Sequence, residues 1–439
     1  MDLTTKILDL SACYRRISAV FPYFPRLDFD FEGWYEECVR RAIAAEDEKT
    51  YHLTLMAFLN RLGDGHTDYT PPRAWLNRVG YLPFRLEAFP EGYYRQGRRV
   101  LALDGVSMEE WAERMEKILP GRENFLYPGP FQAYLPLFLT GETHVLTTET
   151  GEESFALGRE RPKPNPFYPE AAWHYEILSE TPRMRRYDGD ILYIRLDHFL
   201  ADRSKSIRSA LIDGTSWQGI VLDIRQNIGG MTAFAAKVAE LFFDGEFSGC
   251  QKWTRLSRGV DLASGSQIIG MTPEELEKLG VDEGDKRCLD TLKGRNFENY
   301  TDRFGEIGQK AVYSGPLTLL VGPNTVSAAE DFTAMFRSNR RAWLLGMPTR
   351  GTTGTPLMER LPGGGSIRVV SVGYRLLDGT EFIGRGIQPD EWSQPDPAEW
   401  FTGDDKTLQL ALERFGMGSD LPNRVVKSEF RGNGRFHAG

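Results

Sequence analysis

The clearest candidate for chemistry in this chain is a serine at the start of a predicted helix. Ser327 follows the apolar run Pro316–Gly322, which is typical of a buried strand, and precedes the helical pattern Ala328–Arg340. Backbone N–H groups without partners and the positive end of the helix dipole favour a developing negative charge at such a position. Ser327 could therefore act as a nucleophile, although a serine before a helix is more often only an N-cap.

Two glycines occupy the corresponding place in a second strand-and-helix unit. The stretch Gly219–Gln226 is typical of a buried strand, Gly229 and Gly230 follow it, and a helical pattern runs over Met231–Phe243. Loops at the carboxyl ends of parallel strands meet at one edge of an α/β sheet, so we expect these glycines near Ser327. Their backbone N–H groups could approach a substrate carbonyl closely, but two glycines after a strand are more often a simple turn.

His66 is the candidate for a general base. It lies in the glycine-rich turn within Leu62–Tyr69, directly after the helical pattern Tyr51–Leu62. A serine nucleophile needs a base that titrates near neutrality, and this is the one of the six histidines with a turn context. A lone histidine is more often structural, but its distance in sequence from Ser327 is no objection. If His66 is the base, kcat/KM should rise through a pKa of about 6.5.

The elements that would position these residues fall into three predicted parts. Residues 1–78 carry helical periodicity and form an N-terminal helical domain. Residues 79–165 alternate in the manner of strands, with one helix at Met108–Ile118, and form a β-rich insert. After the proline-rich link Glu160–Glu170, residues 166–439 alternate strands with helices, which predicts an α/β core.

The composition is that of a globular protein without a nucleic-acid or membrane partner. The 439 residues carry 53 basic and 62 acidic side chains, a formal net charge of −9 that disfavours binding to nucleic acids or acidic lipids. No run reaches the roughly 18 apolar residues of a transmembrane segment. The absence of a secretory signal predicts a cytoplasmic location, or a periplasmic one if a leader has been removed. The six histidines are dispersed, and so are the four cysteines, which are Cys13, Cys38, Cys250 and Cys288. Neither set has the spacing of metal ligands, so the sequence predicts no metal and no cofactor.

Six stretches occur in an order that resembles one family. They are Leu62–Tyr69, Gly189–Phe199, Gly219–Gly230, Val321–Phe332, Leu344–Gly354 and Leu377–Asp390. Together they are similar to the C-terminal processing (tail-specific) serine peptidases, which include the tricorn core protease. The resemblance covers most of residues 50–395. It implies a crotonase-like ββα-superhelix core with an N-terminal helical domain and a β-rich, PDZ-like insert, which is a degenerate module here because no carboxylate-binding loop is recognised.

The resemblance also implies roles for individual residues. Ser327 aligns with the nucleophile of the family. The N–H of Ala328 and the region of Gly229 and Gly230 would form the oxyanion hole. Two further residues match recurring family positions and are interpreted as structural or supporting: Arg225 and Glu330.

One departure from the family pattern bears on the mechanism. Many members use a serine–lysine dyad, but the matching stretch here is Thr349–Thr353, and Thr352 occupies the lysine position. Arg350 cannot replace that lysine, because a guanidinium is effectively always protonated and cannot accept a proton from serine. The sequence therefore excludes the lysine mechanism.

The branch that includes tricorn takes its base from a histidine, which corresponds to His66 here. A carboxylate late in the core then orients the ring, and Glu381 is the prediction for that role, with Asp378 or no third residue as the alternatives. This chain has Gly65 where the tricorn branch has a serine beside its histidine. Ser327 and His66 are therefore better supported than the third member.

The leading hypothesis is a serine endopeptidase that cleaves peptides or unfolded proteins. The resemblance is also compatible with a homo-oligomer, because the family contains such assemblies. The alternative is an inactive family member that carries apolar ligands, as retinoid-binding modules on the same scaffold do. A crotonase-like acyl-CoA enzyme is a third hypothesis, but no motif for that cofactor is recognised.

Overall fold

A computed structural model describes the chain in residues 1–119, 128–160, 174–213, 216–254 and 300–416, together with residues 162 and 272. The chain divides into two compact units that alternate along the sequence. The first unit comprises residues 1–166, 250–302 and 351–386, and the second comprises residues 167–249, 303–350 and 387–439. Most of the predicted link Glu160–Glu170 lies outside the described residues.

The first unit begins with helices, as the apolar periodicity predicts. Leu10, Cys13 and Ile17 are fully buried at helical spacing. The carboxylate of Asp30 accepts a hydrogen bond from the N–H of Gly33 and caps the second helix. The helices are α1 Leu3–Val20, α2 Phe31–Ala44, α3 Glu48–Asn60 and α4 Arg73–Val79, with a 3-10 turn at Phe24–Arg26.

A six-stranded antiparallel sheet follows in the predicted β-rich insert. Its order is β2-β3-β4-β6-β7, with β5 paired to β4. The predicted helix in this part is confirmed, because α5 spans Met108–Glu116 and the indole of Trp111 donates to the carbonyl of Leu103 at 3.0 Å. The other elements are β2 Glu87–Phe89, β3 Gly92–Arg95, β4 Arg98–Leu103, β5 Val106–Ser107, β6 His144–Thr148, β7 Gly151–Phe155, α6 Pro128–Tyr134 and a 3-10 turn at Leu135–Phe138.

Two small antiparallel sheets complete the first unit from distant parts of the chain. One has the order β1-β17-β16 and the other β13-β12-β18. The strands are β1 Asp68–Thr70, β12 Cys250–Trp253, β13 Tyr300–Thr301, β16 Pro356–Arg360, β17 Ser366–Val370 and β18 Gly373–Leu376. Because of these pairings, residues 351–386 pack with the N-terminal part, whereas the sequence interpretation assigned all of 166–439 to one core.

The second unit is built on a seven-stranded sheet of order β19-β15-β14-β11-β10-β9-β8. The five strands from β19 to β10 are parallel and the last two pairings are antiparallel. The predicted alternation of strands and helices is confirmed. The strands are β8 Tyr175–Glu180, β9 Arg183–Tyr187, β10 Ile191–Arg195, β11 Gly219–Asp223, β14 Leu317–Val321, β15 Trp343–Gly346 and β19 Glu391–Trp392. The helices are α7 Ser204–Leu211, α8 Thr232–Ala239, α9 Ala328–Ser338, α10 Pro397–Thr402 and α11 Lys406–Glu413, with a 3-10 turn at Glu240–Phe242.

Within the described residues, no helix is both long and apolar enough to cross a membrane. Three cysteines are buried and form no disulfide with one another: Cys13, Cys38 and Cys250. Cys288 lies outside the described residues.

Candidate active site

Ser327 lies in the second unit, between the end of β14 and the first residue of α9. Its backbone has φ 61° and ψ −126°, a region that residues with a side chain rarely adopt. The side chain makes no capping hydrogen bond to the helix, so Ser327 is not the ordinary N-cap that its position would suggest. A strained backbone at a strand-to-helix turn is typical of a serine nucleophile.

The first turn of α9 provides a backbone N–H beside Ser327. The N–H of Ala329 donates to the carbonyl of Val326 at 3.1 Å, and the N–H of Glu330 donates to the carbonyl of Ser327 at 2.7 Å. Among the residues that the structure describes, the N–H of Ala328 has no acceptor. This N–H is therefore available to an oxyanion, at the positive end of the helix dipole.

The backbone of Gly229 passes directly against Ser327. Gly229 has φ 91°, and a β-carbon at this position would lie 2.7 Å from Cβ of Ser327 and 2.7 Å from the carbonyl oxygen of Val326. Both the backbone angle and the close approach require glycine. Gly229 thus sets how near the loop after β11 comes to Ser327.

Asn227 fixes the conformation of this loop. Its Nδ2 donates to the carbonyl of Leu196 at 2.8 Å, and its Oδ1 accepts from the N–H of Gly229 at 2.9 Å. The N–H of Gly229 is therefore engaged within the loop, whereas the N–H of Gly230 has no acceptor in the described part of the chain. The three predicted oxyanion donors therefore differ in whether their N–H groups are already engaged. The N–H groups of Gly230 and Ala328 are available to an oxyanion, whereas that of Gly229 is bonded to Asn227. Their role in an oxyanion hole stays a prediction.

The sequence interpretation did not single out Asn227. Asparagine commonly bonds a backbone N–H two residues later, so its place before the glycine pair was the available signal. The backbone of Asn227 also contributes, because its carbonyl accepts from the N–H of Val326 at 3.0 Å. One residue therefore joins the loop after β11 to the turn that carries Ser327.

Glu330 is fully buried and anchors the segment after β15. Its Oε1 accepts from the hydroxyl of Thr349 at 2.6 Å, and Oγ1 of Thr349 accepts from the N–H of Ile387 at 2.7 Å. The N–H of Arg350 donates to the carbonyl of Thr325 at 3.0 Å. These bonds fix the start of the stretch Thr349–Thr353 to the helix that follows Ser327, a supporting function that agrees with the sequence interpretation of Glu330.

Arg225 forms a buried ionic cluster beneath the loop that carries Asn227. Its guanidinium donates to Asp223 at 2.7 Å and to Asp405 at 2.6 and 2.9 Å. Burial alone would raise the pKa of Asp223, but the charge of Arg225 more than offsets this effect and lowers the pKa to about 2. Arg225 is thus held by intramolecular ion pairs, in agreement with a structural role.

His66 lies in the first unit, in the turn between α3 and β1. Its backbone N–H donates to Oδ1 of Asp64 at 2.8 Å, which fixes the turn. The side chain is only 7% exposed, and this burial, with a smaller effect of Arg368, lowers the pKa of His66 to about 4. The imidazole is therefore neutral near pH 7, which is the form that can accept a proton.

Thr352 contacts the ring of His66. Nδ1 of His66 and Oγ1 of Thr352 are 2.6 Å apart, and both side chains are buried. The sequence interpretation noted Thr352 only as the residue that occupies the lysine position of the resembled family. Its contact with His66 joins residues 286 positions apart and has no local signal in the sequence.

Glu381 forms a different contact from the one that its predicted role requires. Its carboxylate is about half exposed and lies 2.8 Å from the guanidinium of Arg26. Asp378 accepts from the N–H of Thr380 at 2.9 Å. The partner that the structure gives to Nδ1 of His66 is Thr352, and the catalytic role of Glu381 stays a prediction.

A cavity of about 380 Å³ lies in the first unit beside Asp64. Its aromatic lining consists of Tyr23, Trp253 and Tyr374, and the ion pair between Arg26 and Glu381 also faces it. This volume is within the usual range of small-molecule or side-chain pockets. Asp64 is two residues from His66, so the cavity adjoins the turn that carries the candidate base.

The predicted site residues divide between the two units. The second unit contains Ser327, Ala328, Gly229 and Gly230, and the first contains His66 and Glu381. The pairing of Ser327 with His66 stays a prediction. No group of three or more histidine, cysteine, aspartate or glutamate side chains in the described ranges could hold a metal ion.

Comparison with known proteins gives a family match to the region that carries Ser327. Residues 190–392 match the model of peptidase family S41. A carboxy-terminal-processing protease of Bartonella bacilliformis is 25% identical over 239 residues, which is 53% of this chain and 45% of that protein. The chloroplastic carboxyl-terminal-processing peptidase 2 of Arabidopsis thaliana is 25% identical over 255 residues, which is 57% of this chain and 40% of that protein. The chain thus spans less than half the length of these relatives.

A solved structure extends the similarity over most of the chain. Mature CPAF complexed with lactacystin has a TM-score of 0.72 at 14% sequence identity, covering 94% of this chain and 99% of that one. At this identity the match shows the fold alone. The fold is similar to that of mature CPAF and has the mixed α/β content that the sequence predicts.

Proposed function

Because residues 190–392 match the model of peptidase family S41, we propose that this chain is a serine peptidase that cleaves peptides or unfolded proteins. The observation that carries the proposal is the backbone of Ser327, with φ 61° at the start of α9 and a side chain that does not cap the helix. Strain at a non-glycine residue persists only where the surroundings enforce it, and it concentrates at functional positions.

In the proposed mechanism Oγ of Ser327 attacks the carbonyl carbon of the scissile peptide bond. Nε2 of His66 accepts the hydroxyl proton and then gives it to the amine that leaves as the C–N bond breaks. The acyl-enzyme is hydrolysed by a water molecule, which loses a proton to His66 as it attacks. Ser327 then regains its proton from His66, so the cycle leaves the protein unchanged.

The negative charge on the carbonyl oxygen would be stabilised by backbone N–H groups. Ala328 and Gly230 support this part, because neither N–H has an acceptor among the described residues. Removal of one such donor typically lowers kcat by about 100- to 1000-fold. We assign Gly229 the part of bringing Gly230 close to Ser327, since its own N–H is bonded to Asn227.

A lysine base is not part of the proposal. Thr352 stands at the position where the lysine branch of the family has its base, and a threonine hydroxyl is far too weakly basic to accept the serine proton. Burial lowers the pKa of His66 to about 4, so the imidazole is neutral near pH 7 and has an unprotonated nitrogen that can accept that proton.

We also propose finer assignments for the architecture. The seven-stranded sheet of the second unit would be the crotonase-like core, and the six-stranded sheet with α5 would be the PDZ-like insert. The PDZ-like assignment of the insert is supported by a strand pair and the helix that follows it, which occur in the same order in the second half of a PDZ domain. Because no carboxylate-binding loop is recognised in the insert, we expect C-terminal peptides not to bind to it, which a fluorescence titration measures.

The alternative of an apolar-ligand carrier gains no support from the relatives reported above, which are named as proteases. Incubation of the full chain with an unfolded protein such as reduced casein distinguishes the two functions. A peptidase generates fragments over time, whereas a carrier leaves the casein intact.

The direct test compares Ser327→Ala with the unaltered chain. We expect loss of fluorophosphonate labelling and of casein cleavage, because the nucleophile is removed. Ser209→Ala is the matched control, since this serine in α7 is exposed and its hydroxyl donates only to the backbone of its own helix. Cleavage retained by Ser327→Ala at the level of Ser209→Ala would overturn the proposed function.

A further inference from the structure

The hydrogen-bond partner of Nδ1 of His66 is a hydroxyl group. Oγ1 of Thr352 lies 2.6 Å from this nitrogen, which is a short hydrogen-bonding distance. Both side chains are buried, so the contact is shielded from solvent. A buried hydrogen bond of this kind restricts the rotation of the imidazole ring.

One antiparallel sheet brings together the two segments that carry His66 and Thr352. His66 lies two residues before β1, Thr352 lies four residues before β16, and both strands pair with β17. Oγ1 of Thr67 accepts from the N–H of Val370 in β17 at 3.2 Å, which fastens the residue next to His66 to the same strand. The distance between His66 and Thr352 is thus set by strand pairing within the first unit.

Gly65 makes room for this contact. A β-carbon at residue 65 would lie 2.9, 3.0 and 3.1 Å from Oγ1, Cγ2 and Cβ of Thr352. A side chain at this position would push Thr352 away from the ring of His66. Gly65, where the tricorn branch has a serine, therefore makes room for Thr352, which occupies the lysine position of other family members.

Two carboxylates that could orient the ring of His66 have other partners, namely Asp64 and Glu381. Oδ1 of Asp64 accepts from the backbone N–H of His66, and Glu381 pairs with Arg26. Neither contact reaches Nδ1 of the ring. The side-chain contact described at Nδ1 is the one with Oγ1 of Thr352.

We infer that Thr352 is a positioning residue that holds His66 with its proton on Nδ1, an inference that rests on the proposed function. A hydroxyl can accept or donate a hydrogen bond, so it is compatible with either tautomer. When Thr352 accepts from Nδ1–H, Nε2 keeps the lone pair that a general base needs. Thr352 thereby orients the ring as the aspartate of a serine–histidine–aspartate triad does, but without a charge.

The kinetic test compares Thr352→Val, which removes the hydroxyl at nearly constant volume, with Thr352→Ser, which keeps it. We expect Thr352→Val to lower kcat about 10- to 100-fold with KM changed less than about twofold, because the base is misoriented but substrate contacts remain. Thr352→Ser should stay within about threefold of the unaltered chain, because the hydrogen bond is retained. Thr54→Val is the matched control, since that buried threonine of the same unit donates to the carbonyl of Thr50 and should leave kcat unchanged.

The second readout is the tautomer of His66, measured by NMR on the full chain with ¹⁵N-labelled histidine. His66→Gln assigns the signals of His66 among the six histidines. At pH 7 we expect a protonated Nδ1 and an unprotonated Nε2 in the unaltered chain, in Thr352→Ser and in Thr54→Val. Thr352→Val should lose this preference, because the acceptor at Nδ1 is gone.

These two readouts separate the inference from the proposed function. Wild-type kcat and an unchanged tautomer in Thr352→Val would overturn the inference and leave the peptidase assignment intact. A proton on Nε2 in the unaltered chain would also overturn it. A tautomer change in a chain that cleaves no casein would support the positioning contact and overturn the proposed function instead. Thermal unfolding of each variant identifies any that fails to fold, and if Thr352→Val does, the tautomer of His66 in the unaltered chain still tests the inference.

Discussion

Gly229 touches Ser327 so closely that the two positions cannot both carry a β-carbon. A β-carbon at residue 229 would lie 2.7 Å from that of Ser327, a separation that packed side chains essentially never show. The contact joins the loop after β11 to the turn before α9, each of which carries one of the available backbone N–H groups.

Substitution of Gly229 by alanine should impair catalysis through this contact. We expect Gly229→Ala to lower kcat about 100-fold, because the added methyl group displaces Ser327 or the loop that carries Gly230. Steady-state hydrolysis of a fluorogenic peptide provides the measurement. A kcat within twofold of the unaltered chain would show that the contact has no bearing on the reaction.

Gly379→Ala is the control that separates backbone strain from the clash. Gly379 has φ 89°, nearly the same as Gly229, but no atom lies within 4 Å of the place of its β-carbon. We therefore expect a loss of about 1–2 kcal/mol in the free energy of unfolding, measured with urea, and no change in kcat. An equal loss of kcat in both variants would assign the effect at Gly229 to strain alone.

The pH dependence of activity should reflect the burial of His66. The ordinary pKa of 6.5, on which the sequence-based expectation rests, falls to about 4 because the buried ring is more costly to charge and Arg368 opposes the positive charge. Since the neutral imidazole is the active form, kcat/KM should rise through pH 4 and be nearly constant above it. At pH 5 we expect about 90% of the plateau, compared with about 3% for a base of pKa 6.5.

Asp64 is the second titrating group that faces this turn and must be separated from His66. Burial raises the pKa of Asp64 to about 6, and its carboxylate accepts from the N–H of His66. Asp64→Asn keeps an acceptor oxygen and removes the ionisation, so the rise of kcat/KM near pH 4 should remain in this variant. A rise near pH 6.5 that survives in Asp64→Asn would contradict the low pKa of His66.

Loss of the charge at Arg225 should destabilise the second unit. Arg225→Met leaves Asp223 and Asp405 buried without their shared cation, and we expect the free energy of unfolding to fall by about 3–5 kcal/mol. Arg186→Met removes a partly exposed ion pair with Asp190 in the same unit and should cost less than about 1 kcal/mol. Urea denaturation of both variants measures these two losses in the free energy of unfolding. Equal losses would show that the buried cluster stabilises the unit no more than the partly exposed ion pair does.

Glu381→Gln tests the remaining candidate for a third catalytic residue. Glu381 pairs with Arg26, and Thr352 contacts Nδ1 of His66, so we expect kcat to change less than about threefold. Asp378→Asn serves as the parallel variant for the alternative carboxylate. A decrease comparable with that of His66→Gln would assign the orienting role to Glu381 and remove it from Thr352.

The parts of the molecule that the sequence predicts well are those set by local patterns. The strand β11 with its glycines and the strand β14 with Ser327 are each encoded in about 25 consecutive residues, where apolar runs and breakers act together. The helices of the first 60 residues are likewise predicted by their apolar spacing. The chemistry assigned to Ser327 and His66 came from the resemblance, because each local pattern alone is common.

The contacts that the sequence does not reveal join distant residues. Pairing of β1 with β17 brings Asp68 to Arg368, and no periodicity in either segment specifies the other as its partner. The same holds for Thr352 and His66, and for the bond from Asn227 to Leu196. Such pairings depend on the whole set of competing tertiary contacts, so they follow only from coordinates.

The alternation of the two units along the chain determines the order in which the site can be assembled during synthesis. Thr352 belongs to the last segment of the first unit and follows His66 by 286 residues. At translation rates of 5–20 residues per second, a ribosome needs about 15–60 s to add this length. Until then the ring of His66 is without the hydroxyl of Thr352, so this contact within the first unit is completed only late in the synthesis of the chain.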